Sequence, residues 1–375
     1  MAEKFRRIVR IPSHRQLARA DFRGKTVLVR FDFNVPIENG AVSDPERIDA
    51  AIPTLKKIIE RGAQKVNIIC HLGRPEKPGD KQFSVLPIAE VIAQRLRISK
   101  YDPQMKQSEI DSPSLGHYFE IGPKVNLFEN LRYDEGEEKN SAEFAKKLSQ
   151  LGDYFVQDAF ANIHREHASM VKIQELLPTY AGLLVEREVN HLFKLMNNPE
   201  KPFVGIIGGA KVEDKLGVIT ALSKMCDAVL IGGKTANEYI LDAHPKTGNI
   251  FLPTDGLSKF GAIVPLNNET LKAGVFDIGP QTIMLYKSIL ASAKTIFWNG
   301  NLGVTENKRF IYGTYEIARF ISKLKADKIA SGGNTAEVID DLKLSDHFTF
   351  ISTGGGATSD FIVGKKLPAL EMLLK

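Results

Sequence analysis

The sequence predicts an α/β chain of two doubly wound parallel-sheet domains joined by a helix, on three observations. At 375 residues it is longer than one hydrophobic core usually serves. Short apolar runs, almost free of polar residues, alternate with longer amphipathic ones, as in parallel sheets covered on both faces by helices. Near the middle, "VEREVNHLFKLMNNPEKP" (Val185–Pro202) reads as a long helix that two asparagines and two prolines then stop. Domains of 1–184 and 202–366 follow, with 185–201 as the helix and hinge between them.

The elements follow in order. The opening "EKFRRIVR" is basic but interrupted by Glu3, and reads as a solvated strand or sheet edge rather than a binding arm. Strands are expected at Thr26–Phe31, Lys65–Cys70, Lys124–Phe128 and Tyr154–Asp158 in the first half. In the second half they are expected at Phe203–Ile207, Ala228–Ile231, Thr295–Trp298, Lys328–Ala330 and Phe348–Ser352. Between strands, Thr54–Arg61 reads as a helix closed by Gly62, and Ser141–Gln150 as one closed, after Leu151, by Gly152. No fixed-period repeat or low-complexity segment interrupts the series.

Composition narrows the class. Hydrophobic residues make up 43% and charged residues 25%, ordinary values for a globular protein. A net charge of +5 over this length suits acidic small molecules and is too weak to argue for nucleic acid. Cys70 and Cys226, the two cysteines, lie far apart in apolar runs, so buried reduced thiols are expected rather than a disulfide framework. No apolar run reaches membrane-spanning length, and the N-terminus lacks a signal peptide's apolar core. A cytoplasmic protein without a membrane partner is the expectation.

Glycines mark the strand ends of the second half: "IIGGAKVEDK", "LIGGKTANE", "IASGGNTAEV" and "FISTGGGATSDFIVGKK". Strand C-termini of a parallel sheet share one edge, where ligands bind. Gly354, Gly355 and Gly356 alone fit a flexible turn as well as a bend whose bare N–H groups face an anion at a helix N-terminus. Four such ends together point to a nucleotide. The stretch Gly232–Thr235 ends like a phosphate-binding P-loop, but the glycine required five residues before Gly233 is Ala228, inside the strand. Lys211 and Lys215 stand one helical turn apart after the first glycine pair, placed either on a solvated face or toward a phosphate.

The first half ends its strands differently, on Asp32 and Asn34, His71 and Arg74, Arg132, and His164, Arg165 and His167, with Arg47 nearby. Guanidinium forks bind phosphate and carboxylate bidentately, so this half is expected to hold a small anion. No Ser-His-Asp set, zinc-type spacing or H-R-D pattern is present. Phosphoryl transfer to a carboxylate needs none of these, because the acceptor is already ionised at neutral pH and the protein's task is positioning and charge neutralisation.

The motifs in order are "RFDFNVP", "HLGRP", "ENLRY", "DAF…HREHAS", "GGAKVEDK", "DIGPQTI", "WNGNLGV", "GGNTAE" and "STGGGA…GKKLPA". Over nearly the whole chain they resemble the phosphoglycerate kinase family. The resemblance implies a monomer of two Rossmann-like lobes that transfers a phosphoryl group between 1,3-bisphosphoglycerate and ADP with Mg²⁺, giving 3-phosphoglycerate and ATP. It implies that Asp32, Phe33, Asn34, His71, Leu72 and Gly73 hold the glycerate and that Arg74, Arg132 and Arg165 surround its phosphate. Arg47 would stabilise the transferred group. Lys211 and Lys215 would contact nucleotide phosphates, Lys215 following the moving group, with Gly209, Gly232 and Gly233 lining that site. Glu306 would accept from the ribose, while Gly332, Gly333, Asn334 and Thr335 line the phosphate site. Gly354–Gly356 would donate amides, so that Arg47, Lys215, Gly355 and Gly356 form the catalytic set. Lys365 and Lys366 remain surface charges, and the tail 367–375 would pack back on the first domain.

The chain departs from the family's usual pattern in places. Asn334 stands where an aspartate commonly helps hold magnesium, Ser331 where glycine is common, and Asn301 where "WNGP" has proline. "GGKT" replaces a more apolar segment near the adenine, and "FANIHR" replaces the usual "FGTAHR". These changes bear on metal affinity and nucleotide preference. The competing readings are a catalytically impaired nucleotide- or metabolite-binding protein on the same fold, and a different carboxylate kinase.

Overall fold

A computed structural model describes residues 10–98, 101–102, 104–210, 212–245 and 248–375. Most of the opening basic stretch lies outside the described residues, and so does Lys211. The chain divides into two compact units, Met1–Asn190 with Lys366–Lys375, and His191–Lys365.

The first unit is built on a seven-stranded sheet. Thr26–Arg30 is the middle strand of its parallel part, with Lys65–Ile69 on one side and Tyr154–Gln157 on the other. Val125–Phe128 and Thr179–Ala181 extend the parallel part, and His117–Ile121 and Met105–Gln107 add an antiparallel edge. Apolar clusters cover both faces. Each fully buried Val, Ile or Leu there contributes about 1.5–3 kcal/mol. Arg30 pairs with both Ile69 and Gln157, so neighbouring strands end level and release their following residues at one edge.

The helix expected at Thr54–Arg61 in fact runs Glu46–Glu60, with Pro53 inside it. Pro53 lacks the N–H for an intrahelical bond and therefore reads as a stop. Ile48, Ala51, Ile52, Leu55 and Ile58, at helical spacing, bury one face and carry the helix through it. Consequently Arg47 sits in that helix's first turn. The other expected helix spans Ala142–Ser149, with Ser141 as its N-cap, the side chain accepting from the Phe144 amide.

The second unit holds a six-stranded sheet, parallel throughout, in the order Ile250–Phe251, Ala228–Ile231, Phe203–Ile207, Thr295–Asn299, Asp327–Ser331, Phe350–Ser352. Three of these strands differ in bounds from expectation, the fourth running one residue further, to Asn299. The fifth strand is longer at both ends, and the last begins at Phe350 because Ser345–His347 forms a 3₁₀ turn just before it. A small antiparallel sheet of Asp255–Ser258, Ile263–Pro265 and Val275–Ile278 lies outside the main one. Ile207, Asn299, Ser331 and Ser352 are in register, so the sheet has one level C-terminal edge.

Helix Leu183–Asn197 carries the chain from one unit into the other. Helix Pro368–Leu373 belongs to the first unit, where the Ala369 amide donates to the Ile163 carbonyl and Leu367, Leu370 and Leu373 are buried. Both cysteines are buried and free, burial pushing each thiol up to about 12. Among the described residues no helix is long and apolar enough to cross a membrane.

Candidate active site

In the first unit the residues just past Arg30 and Ile69 converge. Asp32, 8% exposed, takes an ion pair from Arg47 and has His71 Nδ1 3.9 Å from its Oδ1. Asn34 Oδ1 accepts from the Gly73 amide at 2.8 Å, tying the two loops together. Phe33 and Leu72 contribute differently. Their side chains are buried, Phe33 stacked on Phe31 with ring centres 5.1 Å apart, and the Leu72 backbone is held at both its N–H and its carbonyl by the Asn130 side chain.

Beneath these loops lies a charged network that strand-end reasoning does not name. Arg30 is fully buried; its Nε donates to Ser169 Oγ at 3.0 Å, and Nη2 lies 3.1 Å from His71 Nδ1. Arginine can only donate, so His71 Nδ1 accepts and the ring's proton sits on Nε2. Burial, then Arg30 and Arg132, hold His71 well below the usual imidazole range, so it is neutral. Glu137, also buried, accepts from Ser169 N at 2.9 Å and Ser169 Oγ at 2.6 Å. Burial raises its pKa while Arg30 and Ser169 oppose that. His167 Nδ1 lies 3.7 Å from Glu137, and burial, followed by Arg30 and Arg132, pushes this imidazole down to about 4.

Beside this network Arg74, Arg132 and Arg165 line a cavity of about 180 Å³, together with Pro75 and Glu138. Arg132 is the fixed member: Nη1 donates to the Gly73 carbonyl at 2.6 Å and Nη2 pairs with Glu138 Oε1 at 2.9 Å. Burial weakens its hold on the proton, Glu138 opposes that, and Arg165, Arg30 and Arg74 add to it. An arginine stays charged regardless. Three guanidiniums around one small cavity make a receptor for a multiply charged oxyanion.

In the second unit a cavity of about 450 Å³ lies along the sheet's C-terminal edge. Lys215, in the first turn of helix Glu213–Ser223, donates to Asn299 Oδ1 at the end of the neighbouring strand. Gly209, Lys215, Glu306, Gly332, Gly333, Asn334 and Thr335 all border this cavity. Lys234, which the glycine pattern passes over, borders it too and pairs with Glu238 at 3.2 Å.

The glycine clusters are of two kinds. Gly208 and Gly232 are packing glycines: a Cβ on Gly208 would fall against the Asn301 carbonyl, and one on Gly232 against Leu302. The amides of Gly209, Gly232 and Gly233 are committed to Asn301, Ile207 and Leu302 carbonyls. Strand Ala228–Ile231 passes into helix Gly233–Leu241 through Gly232 alone, leaving no phosphate-wrapping loop. Gly355 and Gly356 are different. A Cβ there would meet nothing within 4 Å, and Gly355 holds a φ of 51° at the N-cap of helix Gly356–Val363. This backbone is open to whatever approaches the helix N-terminus. Lys365 pairs with Asp360 at 2.7 Å, and Lys366 is exposed.

Two of the unusual positions, Asn301 and Asn334, share one hydrogen-bonded group. Asn301 Nδ2 donates to Thr305 Oγ1 at 2.7 Å and to the Asn334 carbonyl at 3.2 Å. Asn334 Nδ2 in turn lies 3.3 Å from Glu306 Oε1. Ser331 is buried, with no partner for its hydroxyl.

Comparison with known proteins gives likenesses over nearly the whole chain. The phosphoglycerate kinase family model matches residues 17–265 and 234–365. The chain is 40% identical to a phosphoglycerate kinase of Fervidobacterium nodosum, covering 94% of this chain and 96% of that protein. It is 38% identical to one of Finegoldia magna, with 93% and 96% covered. Among solved structures, phosphoglycerate kinase from Coxiella burnetii superposes with a TM-score of 0.79 at 32% identity, covering 96% of this chain and 98% of that one. The Pyrococcus horikoshii enzyme gives 0.79 at 29% identity over the same shares.

Proposed function

The chain belongs to the phosphoglycerate kinase family, and from that premise we propose which of its residues transfer a phosphoryl group reversibly between 1,3-bisphosphoglycerate and ADP, giving 3-phosphoglycerate and ATP. The observation that carries the assignment is the cavity of Arg74, Arg132 and Arg165, whose three cations suit the phosphate end of the glycerate. Asp32, Asn34 and the Nε2–H of His71 hold the rest of that molecule, and Arg47 neutralises charge on the transferred group. The first unit is thus the glycerate domain.

The second unit is the nucleotide domain. Lys215 draws the moving phosphoryl group, the open amides at Gly355 and Gly356 receive its oxygens, and Gly332, Gly333 and Thr335 line the remaining phosphates. Glu306 accepts from the ribose. The acceptor carboxylate needs no base, so the residues supply orientation and charge. Transfer requires the glycerate's carboxylate and the nucleotide's terminal phosphate to meet away from water, because an acyl phosphate hydrolyses readily.

Among the described residues no group of three His, Cys, Asp or Glu could hold a metal ion. Asn334 turns its Nδ2 to Glu306, and its Oδ1 would be the oxygen to meet a cation whose other ligands are phosphate oxygens. When bound, Mg²⁺ supplies neutralisation of the phosphate charge. A coupled assay with ADP, Mg²⁺ and 1,3-bisphosphoglycerate tests the reading, and absence of turnover across a wide Mg²⁺ range would sink it.

A further inference from the structure

The arginine cavity contains one group that a phosphate receptor does not need. Glu138 lines it with the three arginines and holds Arg132 Nη2 at 2.9 Å. The two partners differ in freedom. The Arg132 side chain is 8% exposed and anchored through Nη1 to the Gly73 carbonyl, whereas Glu138 is 56% exposed. Arg132 Nε is buried with no partner. Nη2 carries two N–H donors, but a carboxylate and a phosphate drawn to the same guanidinium edge repel each other, so the two anions compete for it. The flexible, solvated partner is the one that yields.

We propose that Glu138 is a resident counter-ion of the substrate-phosphate cavity, displaced when 3-phosphoglycerate binds and returning to Arg132 as it leaves. It sets affinity by competition: Arg74, Arg132 and Arg165 would otherwise repel one another in the empty cavity, and Glu138 keeps Arg132 paired until a stronger anion arrives. The inference rests on the assignment of that cavity to the substrate's phosphate. A family whose product must leave each turnover gains from such a group, because affinity differences between related complexes reside mostly in the dissociation rate.

The test is calorimetric titration of the full-length protein, without nucleotide, by 3-phosphoglycerate and by D-glycerate, which lacks the phosphate. Wild type, E138Q and E138A are compared, with sulfate as a competing dianion and thermal melts to check folding. E138Q is expected to bind 3-phosphoglycerate roughly 3- to 10-fold more tightly, the size of effect from freeing one half-exposed ion-pair partner and removing its charge. Sulfate should compete at correspondingly lower concentration, while D-glycerate affinity stays unchanged. Unchanged or weaker 3-phosphoglycerate binding by folded E138Q and E138A overturns the proposal, since Glu138 would then be orienting Arg132 for its ligand. If wild type binds 3-phosphoglycerate and D-glycerate equally, the phosphate-site assignment itself fails, and the proposal with it.

Discussion

Lys215→Met keeps an unbranched stem in the nucleotide cavity and removes the charge. Two effects should follow, separable because they act on different states. The first is on the ground-state fold. Lys215 donates to Asn299 Oδ1, and Asn299 is buried, so the variant strands an acceptor. An unsatisfied buried acceptor costs about 1–3 kcal/mol. The lower end applies here, because Lys215 is half exposed and water can reach the vacated position. The second effect is on the transition state. Losing one preorganised charge-stabilising donor costs about 2.7–4 kcal/mol, or roughly 10²–10³ in kcat. The assay is steady-state turnover with ADP and 1,3-bisphosphoglycerate, with a urea melt of the same preparations. A kcat within tenfold of wild type, on a protein that melts normally, would refute the reasoning: the ammonium would then be a partner of Asn299 and nothing more.

Three further outcomes are expected. Asp158 is fully buried, accepts from the Leu184 and Val185 amides, and burial lifts its carboxyl to about 7. A raised acid binds more protons folded than unfolded, so its contribution to stability is full below about pH 4 and declines as pH rises towards 7, at up to about 1.4 kcal/mol per pH unit. Asp158→Asn should therefore show a shallower decline in urea-melt stability across that window, and an identical decline would mean the burial argument is wrong. Gly208→Ala drives a methyl against the Asn301 carbonyl, a backbone atom that cannot swing away, and should destabilise by about 1–3 kcal/mol in thermal melts. Glu138→Gln should tighten 3-phosphoglycerate binding and leave D-glycerate alone.

The parallel cores were legible because strands buried on both faces leave an unmistakable apolar run: Phe203–Ile207 and Ala228–Ile231 were placed to the residue. Short, largely exposed strands such as Met105–Gln107 and Ile263–Pro265 left no comparable trace, since their pairing is decided by neighbours rather than by their own composition. Pro53 hid half a helix for the opposite reason, a strong local signal overruled by packing. At the candidate site, residues projecting from strand ends could be named from motifs. Arg30, Glu137 and Ser169 could not, because Arg30 and Ser169 lie 139 residues apart and each alone reads as an ordinary polar position. Asn299, although inside a quoted motif, acquires meaning only from the Lys215 ammonium resting on it.

The placement of helix Pro368–Leu373 in the first unit governs the order in which the protein can mature. During synthesis the N-terminal sheet emerges early, but Leu367, Leu370 and Leu373, which complete its apolar covering, are translated only after all of His191–Lys365. At about 5–20 residues per second, the wait lasts on the order of ten seconds or more. Through that interval the N-terminal unit lacks the apolar cover beside Ile163, while the later-made unit receives its last strand, Phe350–Ser352, before those leucines are translated. The half translated first is therefore the half finished last, and the nascent chain's vulnerability to aggregation or to capture by a chaperone is concentrated there.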